Sequence, residues 1–304
     1  MSKKILITGA SGLVGSRLTE RLVQKGYQVS HLGRTKKRSE WAESFVWDVD
    51  KGELDTKALE GVDVIIHLAG AGVADTRWSE KRKKEILESR TKSSALLYET
   101  LKKENHSVRA VVSASAIGYY GFCLDERVFT EESRPGSDYL AQVTTHWEKE
   151  VDSLSSLDIR VVKLRIGIVL SEKGGALAEM AKPIRFAIGV ALGSGKQYLS
   201  WIHIDDLCAM FLKAAEDEQM RGAYNAVCDW VTNEALTKSI AKVLNKPLWL
   251  PPVPSFVMRI ILGEMAEIVV NGSKVSSEKI RNAGFVFQHP ELNGALNELL
   301  SRRA

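Results

Sequence analysis

The 304-residue chain is poor in cysteine: three residues, Cys123, Cys208 and Cys228, with no C-x-x-C pair among them. That excludes a disulfide-stapled scaffold and suits a reducing compartment. The six histidines are scattered, and no His/Cys group has metal-ligand spacing. No apolar run approaches the ~18 residues that cross a bilayer. The chain opens on a strand pattern rather than a secretory leader, so a cytoplasmic protein with no membrane partner is expected. A dominant charge is missing too. The 42 basic and 38 acidic side chains leave a net +4, and the basic residues form no long stripe, so no nucleic-acid partner is expected. Repeats of about 20–50 residues, low-complexity segments, a P-loop and a Ser-His-Asp arrangement are also absent.

What is present begins at the N-terminus. Residues 4–15 read Lys-Ile-Leu-Ile-Thr-Gly-Ala-Ser-Gly-Leu-Val-Gly. An apolar strand (Ile5, Leu6, Ile7) runs into glycines at 9, 12 and 15, and a helical pattern through Leu18, Leu22 and Val23 follows at once. Strand, glycine turn and helix N-terminus together hold a dinucleotide pyrophosphate, because glycine lets backbone N–H groups approach the phosphate oxygens. Gly9, Ser11, Gly12, Leu13, Val14 and Gly15 are therefore candidate cofactor residues; a glycine turn with no nucleotide role is the alternative. A second strand, Gln28 to Leu32, ends in Gly33-Arg34-Thr35-Lys36-Lys37-Arg38. An NAD site places a carboxylate there for the ribose hydroxyls. A guanidinium suits the adenosine 2′-phosphate instead, so Arg34 points to NADP(H) rather than NAD, against the alternative of a solvated basic loop.

Strand and helix patterns then alternate: strand 62–68, helix 80–103, strand 108–113, helix 141–154 and strand 159–164. Alternation of this kind predicts an α/β fold, a doubly wound parallel sheet of Rossmann type. After Gly167 the pattern changes to a glycine-rich segment around a helix near Leu177 to Phe186. Four prolines between 247 and 254 then precede short helices at 256–262, 276–283 and 290–300. The expected organisation is a nucleotide-binding domain at 1–170, with about 196–228 returning to it. Residues 171–195 and 229–304 form a smaller, mostly helical C-terminal substrate lobe, with the substrate site in the cleft between.

Thr8-Gly9-x-x-Gly12-x-x-Gly15, Asp48-Val49-Asp50 and His67-Leu68-Ala69-Gly70 resemble the extended short-chain dehydrogenase/reductase superfamily in order and distance. The segments Ser113–Gly121, Leu164–Leu170, Gly174–Leu177 and Trp201–Asp206 resemble its atypical, epimerase-like subgroup. The C-terminal runs Leu262–Glu267, Ala283–Phe285 and His289–Leu292 are similar to the uncharacterised domain those proteins carry, at about 248–301 here. The resemblance implies that Asp48 and Val49 lie by the adenine, that Leu68, Ala69 and Gly70 flank the cofactor, and that Ser115 donates a hydrogen bond to the reacting oxygen. It also implies a Tyr-x-x-x-Lys pair, whose lysine lowers the phenol pKa for proton exchange. Tyr139 stands in the expected segment, but Val143 occupies the lysine position, and the nearest cation is Lys149.

Three groups are candidates to replace the pair: Ser115, the tyrosines (Tyr139, Tyr119 or Tyr120) and His146 as a relay. Packing is the alternative for Tyr119 and Tyr120, and a surface place for His146. Arg165, at the end of a strand, has two readings, a cation for a phosphate or carboxylate and a structural ion pair. His203 has the same two kinds of reading, while Asp205 or Asp206 is expected to cap the following helix. The cations Arg77, Lys81, Arg82, Lys83 and Lys84 at a helix start would meet a substrate phosphate or form a solvated face. The function these features imply is an NADP(H)-dependent, epimerase-like oxidoreductase acting on a hydroxyl or carbonyl of a small polar, sugar-nucleotide-like substrate. The alternative is an NADP(H)-binding sensor that does not turn over. Relatives pair through two long helices; those at 80–103 and 138–155 are highly charged here, which leaves monomer and homodimer open.

Overall fold

The computed structural model describes residues 3–36, 40–123 and 125–301. Lys37 and Arg38 of the basic loop lie outside the described residues. The apolar run at the N-terminus forms strand β1 (Lys4–Thr8), and the glycines lead into helix α1 (Leu13–Gln24). Strands β2 (Gln28–Gly33), β3 (Glu43–Asp48), β4 (Glu53–Leu54), β5 (Val64–His67) and β6 (Ala110–Ala116) follow in order. Helix α2 (Glu80–Lys103) joins β5 to β6, and helix α3 (Tyr139–Asp152) follows β6. One eight-stranded sheet runs in the order Gly222–Ala226, Arg160–Ile166, β6, β5, β1, β2, β3, β4. Every pairing in it is parallel except that of β3 with β4.

The order of connection reverses between β1 and β5, so the crevice beyond the carboxyl ends of these strands is where a Rossmann-type sheet opens to a ligand. Helices cover both faces. Helix α1 packs beside Ile204–Glu216, and α2 packs beside α3. The buried core is continuous through Ile5, Ile7, Ile65, Ile66, Val111, Val112 and Leu164, which is why these strands read as unbroken apolar runs.

The return of the chain to the sheet is visible in Gly222–Ala226, which adds the edge strand beside Arg160–Ile166. Residues 198–203 instead form the centre of a small second sheet, between Ile168–Leu170 and Asp229–Thr232. The C-terminal segment is mostly helical and is tied down by specific bonds. The Asp206 carboxylate accepts from the backbone N–H groups of Gln288 (2.7 Å) and His289 (3.0 Å). Lys274–Val275 pairs with Val128–Phe129. Asp206 therefore fastens the C-terminal segment rather than capping a helix. The helix Ile204–Glu216 is capped by His203, whose Nδ1 accepts the Asp205 N–H at 3.1 Å.

Gly9 carries a positive φ of 68°, and a Cβ there would stand 2.8 Å from the Leu68 carbonyl carbon and 2.9 Å from the Ala69 nitrogen. Gly52 also has a positive φ, of 71°, but open space around it. Gly9→Ala should therefore cost about 3 kcal/mol, combining backbone strain with overpacking, whereas Gly52→Ala should cost about 1 kcal/mol. Urea denaturation of the two variants separates the contributions; equal losses would show that the approach of Gly9 to residues 68–69 is loose.

Candidate functional site

The two glycine turns meet at the carboxyl ends of β1 and β5. Thr8 and His67 are paired in register at the last position of each strand. The Thr8 hydroxyl accepts from the Leu68 N–H (3.1 Å) and the Ala69 N–H (3.2 Å), so its own proton goes to His67 Nδ1 at 2.7 Å. His67 Nε2 then donates to Ser93 (3.3 Å) and Ser94 (3.2 Å) on α2, whose hydroxyls donate onward to the Arg90 carbonyl. His67 is fully buried, and burial holds it neutral with a pKa of about 4. One histidine thus locks the first glycine turn, the second glycine turn and α2 into a single frame.

On that frame Gly12 is the N-cap of α1 and supplies no side-chain cap, and no acidic residue stands in the first turn. By contrast Ser79 caps α2 and Asp138 caps α3. Gly15 lies against the turn so closely that a Cβ would meet the Gly9 carbonyl oxygen at 2.5 Å. The Gly12 N–H closes the turn onto the Gly9 carbonyl at 3.0 Å, which leaves the backbone N–H groups of Ser11, Leu13 and Val14 for the crevice, and the residues present fit a dinucleotide phosphate. Arg34 is exposed just past the end of β2. Asp48 uses Oδ1 to accept from the Asp50 and Lys51 N–H groups (both 3.1 Å) and pairs with Lys51 at 3.4 Å. Its carboxylate thus shapes the turn after β3, and Val49 packs on the core.

The expected proton-handling groups are arranged differently. Ser115 is buried, and its hydroxyl donates to Glu148 Oε1 at 2.6 Å, into the interior rather than toward a substrate. Arg165 holds the same carboxylate bidentately, Nε at 2.8 Å and Nη2 at 2.9 Å. Its Nη1 is bonded to the Tyr120 hydroxyl (3.0 Å) and the Glu131 carbonyl (3.3 Å). Lys163 stands 3.6 Å from Glu148. Arg165 is therefore a structural ion pair and not a phosphate ligand, because its donors are spent inside the protein. Burial alone would raise the Glu148 carboxyl, but the Arg165 hydrogen bonds and the charges of Arg165 and Lys163 hold it below the usual range.

Tyr139 is the first residue of α3, and its hydroxyl donates to the Lys83 carbonyl at 2.7 Å while its ring packs on Trp78. Tyr120 donates to Asn225 at 2.6 Å, and burial pushes its phenol up to about 12. His146 lies on the exposed side of α3, bonded to the Gln142 carbonyl of its own helix. Tyr119 differs: its ring lies 3.4 Å over the Arg165 guanidinium, and its hydroxyl has no hydrogen-bond partner among the described residues. Three of the five cations at the start of α2 are paired: Arg82 with Asp75 and Glu85, Lys83 with Glu80 and Glu264, Lys84 with Glu88.

The sequence profile of the NAD dependent epimerase/dehydratase family matches residues 5–226, most of the chain and all of the large sheet but Lys4. The chain belongs to that family. A domain of unknown function, DUF1731, matches residues 253–299. Among relatives of this epimerase family, the Bacillus subtilis "Epimerase family protein YfhF" is 35% identical over 302 residues, covering 98% of each chain. An Arabidopsis thaliana chloroplastic homologue of the epimerase family protein SDR39U1 is also 35% identical, over 97% of this chain and 86% of its own. The crystal structure of human SDR39U1 with NADPH superposes with a TM-score of 0.86 at 28% identity, covering 98% of this chain and 99% of that one. Among the described residues no helix is long and apolar enough to cross a membrane.

The pattern of this epimerase-family sequence does not single out Glu148, and His67 stands in its motif at 67–70 without a role of its own. One signal existed: Lys163 and Arg165 fall two apart in a strand that reads as buried on both faces, and buried cations require a carboxylate. Removing it should be costly. Glu148→Ala strands the buried Arg165 guanidinium, while Lys163 keeps Asp152 at 2.6 Å, and should lose about 3–5 kcal/mol, whereas Ser115→Ala should lose about 1 kcal/mol. Chemical denaturation distinguishes these; equal losses would remove Glu148 from the centre of the network. Acid should also weaken the fold. His67 and His203 are held near 4, by burial first and, for His203, also by His289. The unfolded chain takes up these protons from about pH 6.5 downward, so stability falls between about 6.5 and 4 by up to ~1.4 kcal/mol per pH unit for each histidine. His203→Asn keeps a helix cap and should lower that slope, while His67 and the part-buried His31 still contribute; an unchanged slope would mean His203 is not held neutral.

Proposed function

We propose that the protein binds NADP(H) across the two glycine turns and acts as an epimerase-like oxidoreductase on a hydroxyl or carbonyl of a small polar substrate. The observation that carries this is the frame itself: Gly9 pressed on Leu68–Ala69, an uncapped α1, and Arg34 past β2 where a carboxylate would select NAD. A related human protein of 28% identity, whose structure contains NADPH, supports the choice of cofactor. The backbone amides of Ser11, Leu13 and Val14 would hold the pyrophosphate, Arg34 the adenosine 2′-phosphate, and Ala69–Gly70 the neighbouring ribose. The nicotinamide supplies hydride chemistry when bound.

The chain's own task is then to move a proton at the substrate oxygen. Ser115 and Tyr139 are committed to Glu148 and to the Lys83 carbonyl. Tyr119 is the remaining hydroxyl of the three, and we assign it that role. The same commitment of Ser115 and Tyr139 favours a second reading, an NADP(H) sensor that binds without turnover.

Calorimetry with NADPH and NADH checks the first step. NADPH should bind at micromolar affinity, NADH much more weakly, and Arg34→Ala should weaken NADPH at least tenfold, about 1.4 kcal/mol. Absence of nicotinamide binding would contradict the proposal. In a carbonyl and nucleotide-sugar panel, oxidation of NADPH that Tyr119→Phe slows about 100-fold supports the enzyme; tight binding with no turnover on any member supports the sensor.

A further inference from the structure

Three arginines in this protein invite comparison at one edge of the guanidinium, the side-on fork formed by Nε and Nη2. In Arg165 that edge holds the Glu148 carboxylate at 2.8 and 2.9 Å. In Arg17 it holds Asp205 at 2.6 and 2.9 Å. In Arg90, on α2, Nη1 donates to the Ile86 carbonyl of its own helix at 2.9 Å. The Nε/Nη2 edge of Arg90 has no hydrogen-bond partner among the described residues, and no carboxylate there forms an ion pair with it. Arg165, which is buried, and Arg17, which is part-buried, thus each give this edge a carboxylate, as planar, bidentate geometry favours.

The position of Arg90 matters as much as its missing partner. Its guanidinium carbon lies 5.2 Å from the Trp147 ring centre on α3, and on the other side 3.2 Å from where a Gly70 Cβ would stand. It is thus held between α3 and the second glycine turn, beside the crevice at the ends of β5 and β6. A larger residue at 70 would displace it. The backbone carbonyl of Arg90 is itself fixed by Ser93 and Ser94 of the His67 network. The indole N–H of Trp147, buried beneath, has no acceptor either. Burial, together with the charge of Arg82, holds the guanidinium pKa down to about 10. A desolvated cation without a counter-charge is costly to keep.

We propose that the Nε/Nη2 edge of Arg90 is an anion-binding site that takes a pair of oxygens, carboxylate or phosphate, carried by the substrate. The substrate is then an anionic carbonyl or hydroxyl compound anchored at Arg90. That the anion belongs to a substrate rests on the crevice being the substrate site; the binding of anions at Arg90 does not, and it is measurable with no cofactor present.

The test compares acetate, inorganic phosphate and chloride at matched ionic strength, by thermal shift and calorimetry, on the wild type, Arg90→Met and Arg90→Lys, each with and without NADPH. Acetate or phosphate should raise the melting temperature of the wild type above the chloride control, and the stronger of the two names the group. Arg90→Met should melt no lower than the wild type in chloride and should lose the anion effect. Arg90→Lys, which keeps the charge without the fork, should bind the anion at least fivefold more weakly, and it decides the matter if Arg90→Met does not fold. NADPH affinity should stay within twofold in the variants. Anion binding equal in all three proteins would overturn the proposal, as would no anion binding by the wild type. A tenfold loss of NADPH affinity in the variants would also overturn it, assigning Arg90 to the cofactor. A wild type that binds anions at Arg90 but no nicotinamide would sink only the proposed cofactor.

Discussion

The contact on which the rest of this structure depends is the approach of Gly9 to the backbone of Leu68 and Ala69. Only a residue without a Cβ fits there, so two turns that follow different strands become one surface. Hydrogen bonding then fixes what sterics permit. Thr8 bridges to both amides of the second turn and hands its proton to His67, and His67 passes the link to α2 through two serines. Because the histidine is buried and neutral, each of its nitrogens has one fixed role, and the crevice walls cannot shift independently. The position of Arg90 is a consequence of the same chain of bonds.

A second constraint lies one strand further along. Two cations in the buried strand Arg160–Ile166 and a hydroxyl on β6 converge on Glu148. In relatives with a Tyr-x-x-x-Lys pair, a charged lysine tunes a phenol beside the nicotinamide. Here the helix that would carry the pair carries Glu148 instead, and its partners are turned inward. The buried charge is used to hold α3 against the sheet, and Tyr119 lies across the top of that ion pair. This arrangement separates the frame of the two glycine turns from the segment around Tyr139 and Val143, whose neighbour Glu148 faces the ion pair.

Much of this was legible from residue order. Glycines at 9, 12 and 15 after an apolar run specify strand, turn and helix, and continuous apolar strands specify a parallel sheet, because both signals are local. The long helix at 80–103 was legible from the spacing of its apolar residues, Ile86, Leu96, Leu97 and Leu101. What was not legible depends on partners distant in sequence. Nothing near Asp206 indicates that it meets residues 288–289, and nothing near His203 marks it as the cap in place of the aspartates that follow. Ser115 and Arg165 sit at strand ends where ligands bind, yet nothing in either segment reveals that Glu148, on another element, claims both. Arg90 was silent for the opposite reason: its significance is the absence of a partner that similar arginines have.

The central claim is that the two glycine turns form one cofactor cradle, and amide hydrogen exchange with and without NADPH tests it most directly. Protection should increase together at residues 9–16 and 68–72, with little change in the helix Ser255–Leu262. Protection of one turn without the other, or of neither, would contradict it.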